Sequence, residues 1–283
     1  MVGQNDAKTK ADSVGIIAGN GSFPFSFADG ARKAGRRVVA VALKGEASPD
    51  LEGHVDAIHW TGLAQLGRWI RIFREEGVSR VALCGGVTKG RIYDPRRILN
   101  YAPDARTLKL WFGKAVSKRD HDILGLLAEE LASEGIELVS SVLYCPEVLI
   151  EAGCITKRKP TESELRDIEF GWPIAKEIAR MQIGQTIVVK EQCVIAVEGV
   201  EGTDAVLLRG GELGRGNVVA IKVAKHNHDE RFDIPTIGPK TAATLKQAKA
   251  SVLAVQAGRT IVLDREETAR VADAAGICIL ARE

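Results

Sequence analysis

The segment Val194 to Arg209, VIAVEGVEGTDAVLLR, sets Glu198, Glu201 and Asp204 on a glycine-interrupted turn directly after an apolar run. Three carboxylates on one short turn repel each other unless a cation or basic partner joins them, so an oxygen-ligated Mg2+ or Mn2+ is the chemistry they fit. An acidic hairpin tip, with Asp204 capping the next element, is the other reading of the same residues. Further on, Val219, Ile221 and Val223 alternate with Val218, Ala220, Lys222 and Ala224, which puts one cation on an otherwise apolar face. Lys222 therefore either extends its ammonium to water or meets an anion. The polar segment KHNHDERFDIPTIG, from Lys225 to Gly238, follows at once, and its Pro235 and Gly238 read as a rigid connector that holds Asp233 in place. His226 and His228 have a zinc-like i, i+2 spacing, but no cysteine or third histidine lies near them and oxygen ligands dominate the segment. Carboxylates with Lys and Arg, and without a Cys or Ser nucleophile, suit phosphoanhydride hydrolysis: a divalent ion bridges phosphate oxygens, cations absorb charge and water attacks.

Two glycine-rich turns could hold a phosphate. Gly19, Asn20, Gly21 and Ser22 sit between an apolar run and a helical pattern, where glycines and helix-start N–H groups let an anion approach the backbone. The turn departs from the dinucleotide fingerprint, because Pro24 replaces the third glycine and the second strand ends at Lys44 instead of an acid. That weakens an NAD-linked oxidoreductase reading. Gly85 and Gly86 close the third expected strand and lead to Lys89 and Arg91, which either reach an anion at the same sheet edge or stay solvated. Asp120, His121 and Asp122 precede a helix, and capping is the favoured role for Asp122.

The elements that must position these residues are legible as apolar runs and helical spacing. Val14 to Ala18, Val38 to Leu43 and Arg80 to Val87 read as strands, with helices from Phe25 to Ala34 and around Leu63, Leu66, Trp69, Ile70 and Phe73. This β-α-β-α-β pattern predicts a Rossmann-like parallel sheet with right-handed crossovers, extended by a helix over 122–133 and a strand over 136–144. Thr161 and Glu164 make a capping box that opens a long helix towards Met181. Thr186 to Val189 and Cys193 to Val197 read as a hairpin, the second strand apolar on both faces and so buried. Strands at Asn217–Ala224, Val252–Gln256, Thr260–Leu263 and Ile277–Leu280, a helix at Thr241–Ala250 and a helix capped by Asp264 with Glu267 complete a second α/β domain. The expected organisation is a disordered tail over 1–12, a first domain over 13–154, a linker over 155–160 and a second domain over 161–283.

Composition narrows the function classes. The 283 residues carry 39 Lys plus Arg against 37 Asp plus Glu, a formal charge of +2, too small for the field that nucleic-acid binding leans on. No apolar run approaches the roughly 18 residues of a bilayer span, and the polar start lacks a secretory core, so a cytoplasmic protein is expected. The five cysteines, Cys84, Cys145, Cys154, Cys193 and Cys278, are odd in number and scattered, which argues against a disulfide framework.

The succession GIIAGNGSFP, RDHDIL, IGQTIVV, VIAVEGVEGTDAVLLR, the lysine-spaced run ending in RFDIPTIG and a closing VLDRE resembles the UDP-2,3-diacylglucosamine pyrophosphatases of the lipid A pathway that are unrelated to calcineurin-like phosphoesterases. The resemblance runs from Ser13 to the C-terminus, and its EGTD and RFDIPTIG blocks are the most specific. It implies a metal-dependent enzyme that cleaves UDP-2,3-diacylglucosamine into UMP and 2,3-diacylglucosamine 1-phosphate, with two domains holding the acylated sugar between them. Asp233 is then critical for catalysis, and Glu198, Glu201 and Asp204, with Asp233, bind Mg2+ or Mn2+. Charge and position assign Lys222, Lys225 and Arg231 to the diphosphate, with Gly19, Asn20, Gly21, Gly86, Lys89, Asp120 and Thr203 completing the substrate contacts. The chain departs from the family pattern at His226, His228 and Lys89-Gly90. A diacylated substrate also brings a peripheral inner-membrane contact into the expectation, alongside a homo-oligomer. A non-catalytic nucleotide-sugar or lipid-binding protein is the competing reading.

Overall fold

The computed structural model describes residues 12–87, 103–110, 120–225, 231 and 234–283, with the side chains of 120–122 excepted. Contact density divides the chain into two compact units: the first ends at Pro146, and the second runs from Glu147 to Glu283, except that Arg231 groups with the first.

In the first unit, β1 (Ser13–Ala18) and β2 (Arg37–Leu43) are nearly continuous apolar runs, the composition of strands covered on both faces. With β3 (Ala57–Thr61), β4 (Arg80–Cys84) and β5 (Glu137–Leu138) they form a five-stranded sheet in the order β3-β2-β1-β4-β5. All its ladders are parallel. Helices α1 (Phe23–Lys33), α2 (Leu66–Glu75), α3 (Ala105–Lys109) and α4 (Asp120–Ala132) complete the unit. The strand order reverses between β1 and β4, so the crevice beyond their carboxyl ends is the topological switch point of a doubly wound sheet. The edge strand β3 was not expected: His59 and Trp60 interrupt the apolar run, and every residue from Ala57 to Trp60 is only half-buried. The strand expected over 136–144 shrinks to Glu137–Leu138, because Ser140 turns the chain, its carbonyl accepting from Leu143 N at 3.2 Å and its hydroxyl from Val142 N at 3.4 Å.

The second unit is built on a six-stranded sheet. Its strands are β6 (Gly153–Cys154), β7 (Thr186–Lys190), β8 (Cys193–Val197), β9 (Val218–Lys222), β11 (Ala250–Gln256) and β13 (Cys278–Arg282), in the order β6-β13-β11-β9-β7-β8. Strands β9, β11 and β13 run parallel, and β7 is antiparallel to both β8 and β9. A short parallel pair, β10 (Thr236–Ile237) and β12 (Ile261–Val262), lies apart from it. Helix α5 (Glu162–Arg180) starts at the expected capping box, with both reciprocal Thr161–Glu164 bonds formed. Its Ile168, Ala175 and Ala179 cover Val219, Ile221, Val252 and Ala254 on one face of the sheet. Helices α6 (Thr203–Leu213), α7 (Pro239–Gln247) and α8 (Arg265–Ala274) put Leu207, Leu245 and Ala272 into the core that includes Val188, Ala220, Leu253 and Val255.

Three local expectations change here. The division at Pro146 comes ahead of the expected linker over 155–160, because the chain is already woven into the second unit by then. Ile150 N donates to Thr260 O at 2.9 Å, Gly153 and Cys154 pair with β13, and Ile279 N donates to the Thr156 hydroxyl at 2.9 Å. Strand β8 is apolar but not buried: it is the sheet's edge, with Cys193 exposed and Val194, Ile195 and Val197 half-buried. Asp264 precedes α8 in a left-handed conformation, φ 43°, and makes no side-chain cap, while Glu267 bonds Arg270 at 2.7 Å.

Helix α6 carries two adjacent glycines, which weaken a helix unless close packing requires them. A Cβ on Gly210 would lie 2.6 Å from the Val188 side chain, and one on Gly211 would lie 2.1 Å from the Ala248 carbonyl oxygen. Gly211→Ala gains about 1 kcal/mol of helix propensity but drives a methyl into backbone, an overpacking that costs about 3 kcal/mol. A net loss of about 2 kcal/mol is expected in urea unfolding, and a variant as stable as the parent would show that α6 does not pack this closely.

Candidate active site

Strand β9 places Lys222. Its alternating residues send Val219 and Ile221 under α5 and Val218 and Ala220 under α6 and α7, so Lys222 emerges on the α6 side at the strand's carboxyl end. The side chain is only 5% exposed, and Nζ donates to Thr236 O at 2.9 Å. Thr186, the first residue of β7, pairs with Lys222 across the ladder. Glu198 leaves β8 beside it, its backbone N donating to Thr186 O at 2.9 Å. The buried Glu198 carboxylate accepts from Gln185 N at 3.2 Å and from the Thr203 hydroxyl at 3.1 Å. Thr203 opens α6 after Gly202, whose φ of 82° suits glycine and which supplies no side-chain cap. The first-turn N–H groups of α6 thus point the positive end of the helix towards the same place.

Asp204, in that first turn, pairs with Lys240 at 2.8 Å and accepts from the Thr244 hydroxyl at 3.4 Å, both on α7. Burial pushes the Lys222 ammonium below its ordinary pKa of 10.5, and the charges of Glu198 and Asp204 pull it part of the way back. Glu198, Thr203, Asp204 and Lys222 therefore form one electrostatic group. Glu201 is turned elsewhere, pairing with Arg209 at 2.6 Å and accepting from Gly199 N at 2.9 Å. Its own backbone N–H and the Arg209 guanidinium hold its carboxyl below the usual range.

An all-oxygen donor set suits a hard divalent cation, and Glu198 with Asp204 fits that chemistry. Glu201 is ion-paired with Arg209 as Asp204 is with Lys240, but it is Glu198 and Asp204 whose charges act on Lys222. Among the described residues no group of three His, Cys, Asp or Glu side chains is arranged to hold a metal, so a third oxygen would have to come from elsewhere. Asp233, like Lys89, lies outside the described residues, and so does the side chain of Asp120. Arg231 is half-buried and groups with the first unit, and Lys225 is half-buried just beyond β9.

In the first unit, the two glycine turns meet at the switch point. Asn20 N donates to Gly86 O at 2.8 Å and Gly86 N returns to Asn20 O at 3.1 Å, while the Asn20 amide donates to Glu46 at 2.7 Å. A Cβ on Gly19 would lie 2.2 Å from Gly86 O, so close backbone approach alone requires this glycine. Gly21 has φ 90° and open space where a side chain would be, immediately before α1. Local sequence reading missed Gln185, Lys240, Thr244 and Glu46. Their partners are distant along the chain, and the only signal was the polar start of α7 after Pro239.

Comparison with known proteins agrees with this two-part construction. Family models for the LpxI N-terminal domain and the LpxI C-terminal domain match residues 13–148 and 151–280. The UDP-2,3-diacylglucosamine pyrophosphatase LpxI of Caulobacter vibrioides is 32% identical over 277 residues, which cover 94% of this chain and 96% of that protein. On that likeness across nearly its whole length, the chain belongs to the LpxI family.

Proposed function

We propose that this chain hydrolyses UDP-2,3-diacylglucosamine to UMP and 2,3-diacylglucosamine 1-phosphate in lipid A synthesis, with Mg2+ or Mn2+ as its cofactor. The observation that carries the reading is the buried Lys222 ammonium, held at the carboxyl end of β9 with Glu198, Asp204 and the start of α6 around it. A diphosphate carries its charge on non-bridging oxygens, and a preorganised buried cation stabilises the added charge as the bridge breaks. Thr203 is placed to donate to a phosphate oxygen if it turns from Glu198. A divalent ion, when bound, would supply Lewis-acid neutralisation of phosphate charge and make water more acidic. Glu198 and Asp204 would hold it, with Asp233 adding a third carboxylate. In the balanced step, water adds to one phosphorus, the P–O–P bridge breaks and two phosphate monoesters leave.

A diacylated substrate also supports work at the inner-membrane surface. Among the described residues no helix is long and apolar enough to cross a membrane. Met181, Ile183 and Val200 are more than half exposed, on segments flanking Gly184, whose Cα packs against the Glu198 backbone. Isolated exposed apolar side chains are ordinary on a protein surface, so the acyl chains of the substrate are what support the membrane contact.

The test is UMP release from the diacylated substrate in mixed micelles with Mg2+. Equimolar UMP and 2,3-diacylglucosamine 1-phosphate are expected, with a fall of at least about 100-fold after chelation by EDTA and recovery in excess Mg2+ or Mn2+. Substrate binding without UMP release would make the chain a binding protein, and full activity after thorough chelation would remove the metal.

A further inference from the structure

Cys154 and Cys278 are 124 residues apart in the chain, yet their sulfurs approach to 3.8 Å. We propose that this pair is an oxidation site, at which hydrogen peroxide closes an intramolecular disulfide between β6 and β13. Cys154 lies opposite Leu280 in the antiparallel ladder, so Cys278, two residues before Leu280, is its diagonal neighbour on the same face of the sheet. That face is the one α5 covers, where Cys278 belongs to the core and Cys154 packs against it. The backbone fixes the approach: Ile155 N donates to Ile279 O at 3.1 Å, and Ile279 N donates to the Thr156 hydroxyl at 2.9 Å.

A buried cysteine often serves only as a small apolar residue. Cys84 and Cys145 fit that role, since neither has any surface that a dissolved oxidant can reach. Cys193 is exposed on β8, but its sulfur meets the Val194 carbonyl oxygen, at 3.9 Å. The pair on β6 and β13 combines access with a partner. Cys154 is half-buried on the edge strand of the sheet, and Cys278 lies fully buried behind it, sulfur against sulfur. A disulfide bond is about 2.05 Å long, so the sulfurs must close by about 1.8 Å. Rotation of the two side chains supplies most of that movement, and β6, two residues long with β13 as its one neighbouring strand, can yield the rest.

The chemistry balances in two steps. The Cys154 sulfur attacks one oxygen of the peroxide, the O–O bond breaks, and the other oxygen leaves as water with the thiol proton, which makes a sulfenic acid. The Cys278 sulfur then attacks the Cys154 sulfur: the S–S bond forms, the S–O bond breaks, and hydroxide leaves with the Cys278 proton as a second water. Two electrons pass from the sulfurs to the peroxide. Burial and the adjoining Cys154 thiol push Cys278 above the ordinary thiol range, which suits a group that gives up its proton in the second step. The bridge would enclose α5 to α8, with Glu198 and Lys222, in one covalent loop. A loop of that length restricts the unfolded chain strongly, so oxidation would stabilise the second unit. Neither the bond nor its effect rests on the hydrolytic reading.

The test treats the reduced full chain with a small excess of hydrogen peroxide, alkylates the remaining thiols in denaturant and digests without reduction. Mass spectrometry is expected to find the Cys154 and Cys278 peptides joined, with Cys84 and Cys145 alkylated, and dithiothreitol should separate the pair. Cys193→Ser should cross-link as the parent does, whereas Cys154→Ser, a change at a half-buried edge position, should leave Cys278 unlinked in a folded chain. Urea unfolding of the oxidised parent should shift upward by about 1 M relative to the reduced parent, a shift that Cys154→Ser should lack. Both thiols still free after peroxide, Cys154 carried to sulfinic acid beside an unlinked Cys278, or Cys154 joined to Cys193 instead would overturn the proposal whether or not the chain releases UMP.

Discussion

Replacing Lys222 by Met is expected to lower kcat for UMP release by about 10^3-fold, with KM changing far less. A donor aimed at charge that develops only in the transition state contributes about 10^2 to 10^3 in rate. Lys222 adds a full charge to such a donor, in a place water scarcely reaches. Met keeps the length and apolar character of the stem, so β9 and its ladder to β7 should persist. The two effects of pH on the wild type have opposite signs. Turnover should fall as pH rises through the Lys222 pKa, which burial sets below 10.5, because the ammonium loses its proton. The folding penalty of that buried charge is complete below the same pKa and fades as pH climbs towards 10.5, so the contribution to stability rises as activity declines. The pH profile of kcat, read beside urea midpoints, separates these. A Met variant within tenfold of wild type, or a wild-type rate flat to pH 10.5, would take Lys222 out of the reaction.

The alternation in β9 makes Lys222 conspicuous in the sequence itself, because a strand buried on both faces has no ordinary place for a cation. The capping box at Thr161 and Glu164 was legible for a similar reason: its bonds link residues three apart, so local sequence contains the whole motif. Other features depend on partners that local sequence cannot supply. Whether an apolar run such as Cys193–Val197 lies in the middle or at the edge of a sheet depends on which strands flank it, and β8 has a neighbour only in β7. Strand β3 shows the converse, since its half-buried His59 and Trp60 hide a strand that an edge position tolerates. Within the site, Glu198, Glu201 and Asp204 were equivalent as sequence. Arg209 draws Glu201 away while Lys240 and Thr244 take Asp204, and the latter pairing follows from α7 packing beside α6. The domain division shifted on the same principle: Gly153 and Cys154 look like the end of the first domain until β13, at the far end of the chain, pairs with them.

The largest loss is expected for Asp233→Ala: a fall in kcat of at least about 10^3-fold, with binding of UDP-2,3-diacylglucosamine within a few-fold of wild type by equilibrium dialysis. A positioned proton acceptor contributes about 10^2 to 10^4, and a lost metal ligand acts through the charge of the whole ion. Glu198 and Asp204 both lie close enough to act on Lys222, and among the described residues no three metal-ligating side chains are gathered, so a further oxygen is needed. Asp233 is the remaining carboxylate of the RFDIPTIG block, fixed in sequence between β9 and β10. Two roles fit it, and they respond differently to metal. If Asp233 ligates the ion, its loss raises the Mg2+ concentration needed for half-maximal rate, and Asn, which keeps one oxygen donor, recovers part of the activity in excess Mg2+. If it accepts the water's proton, neither excess metal nor Asn restores the rate, since a neutral amide cannot take a proton from water. A rate in Asp233→Ala within tenfold of wild type excludes both roles, and the hydrolysis would then have to run on Glu198, Asp204 and Lys222 alone.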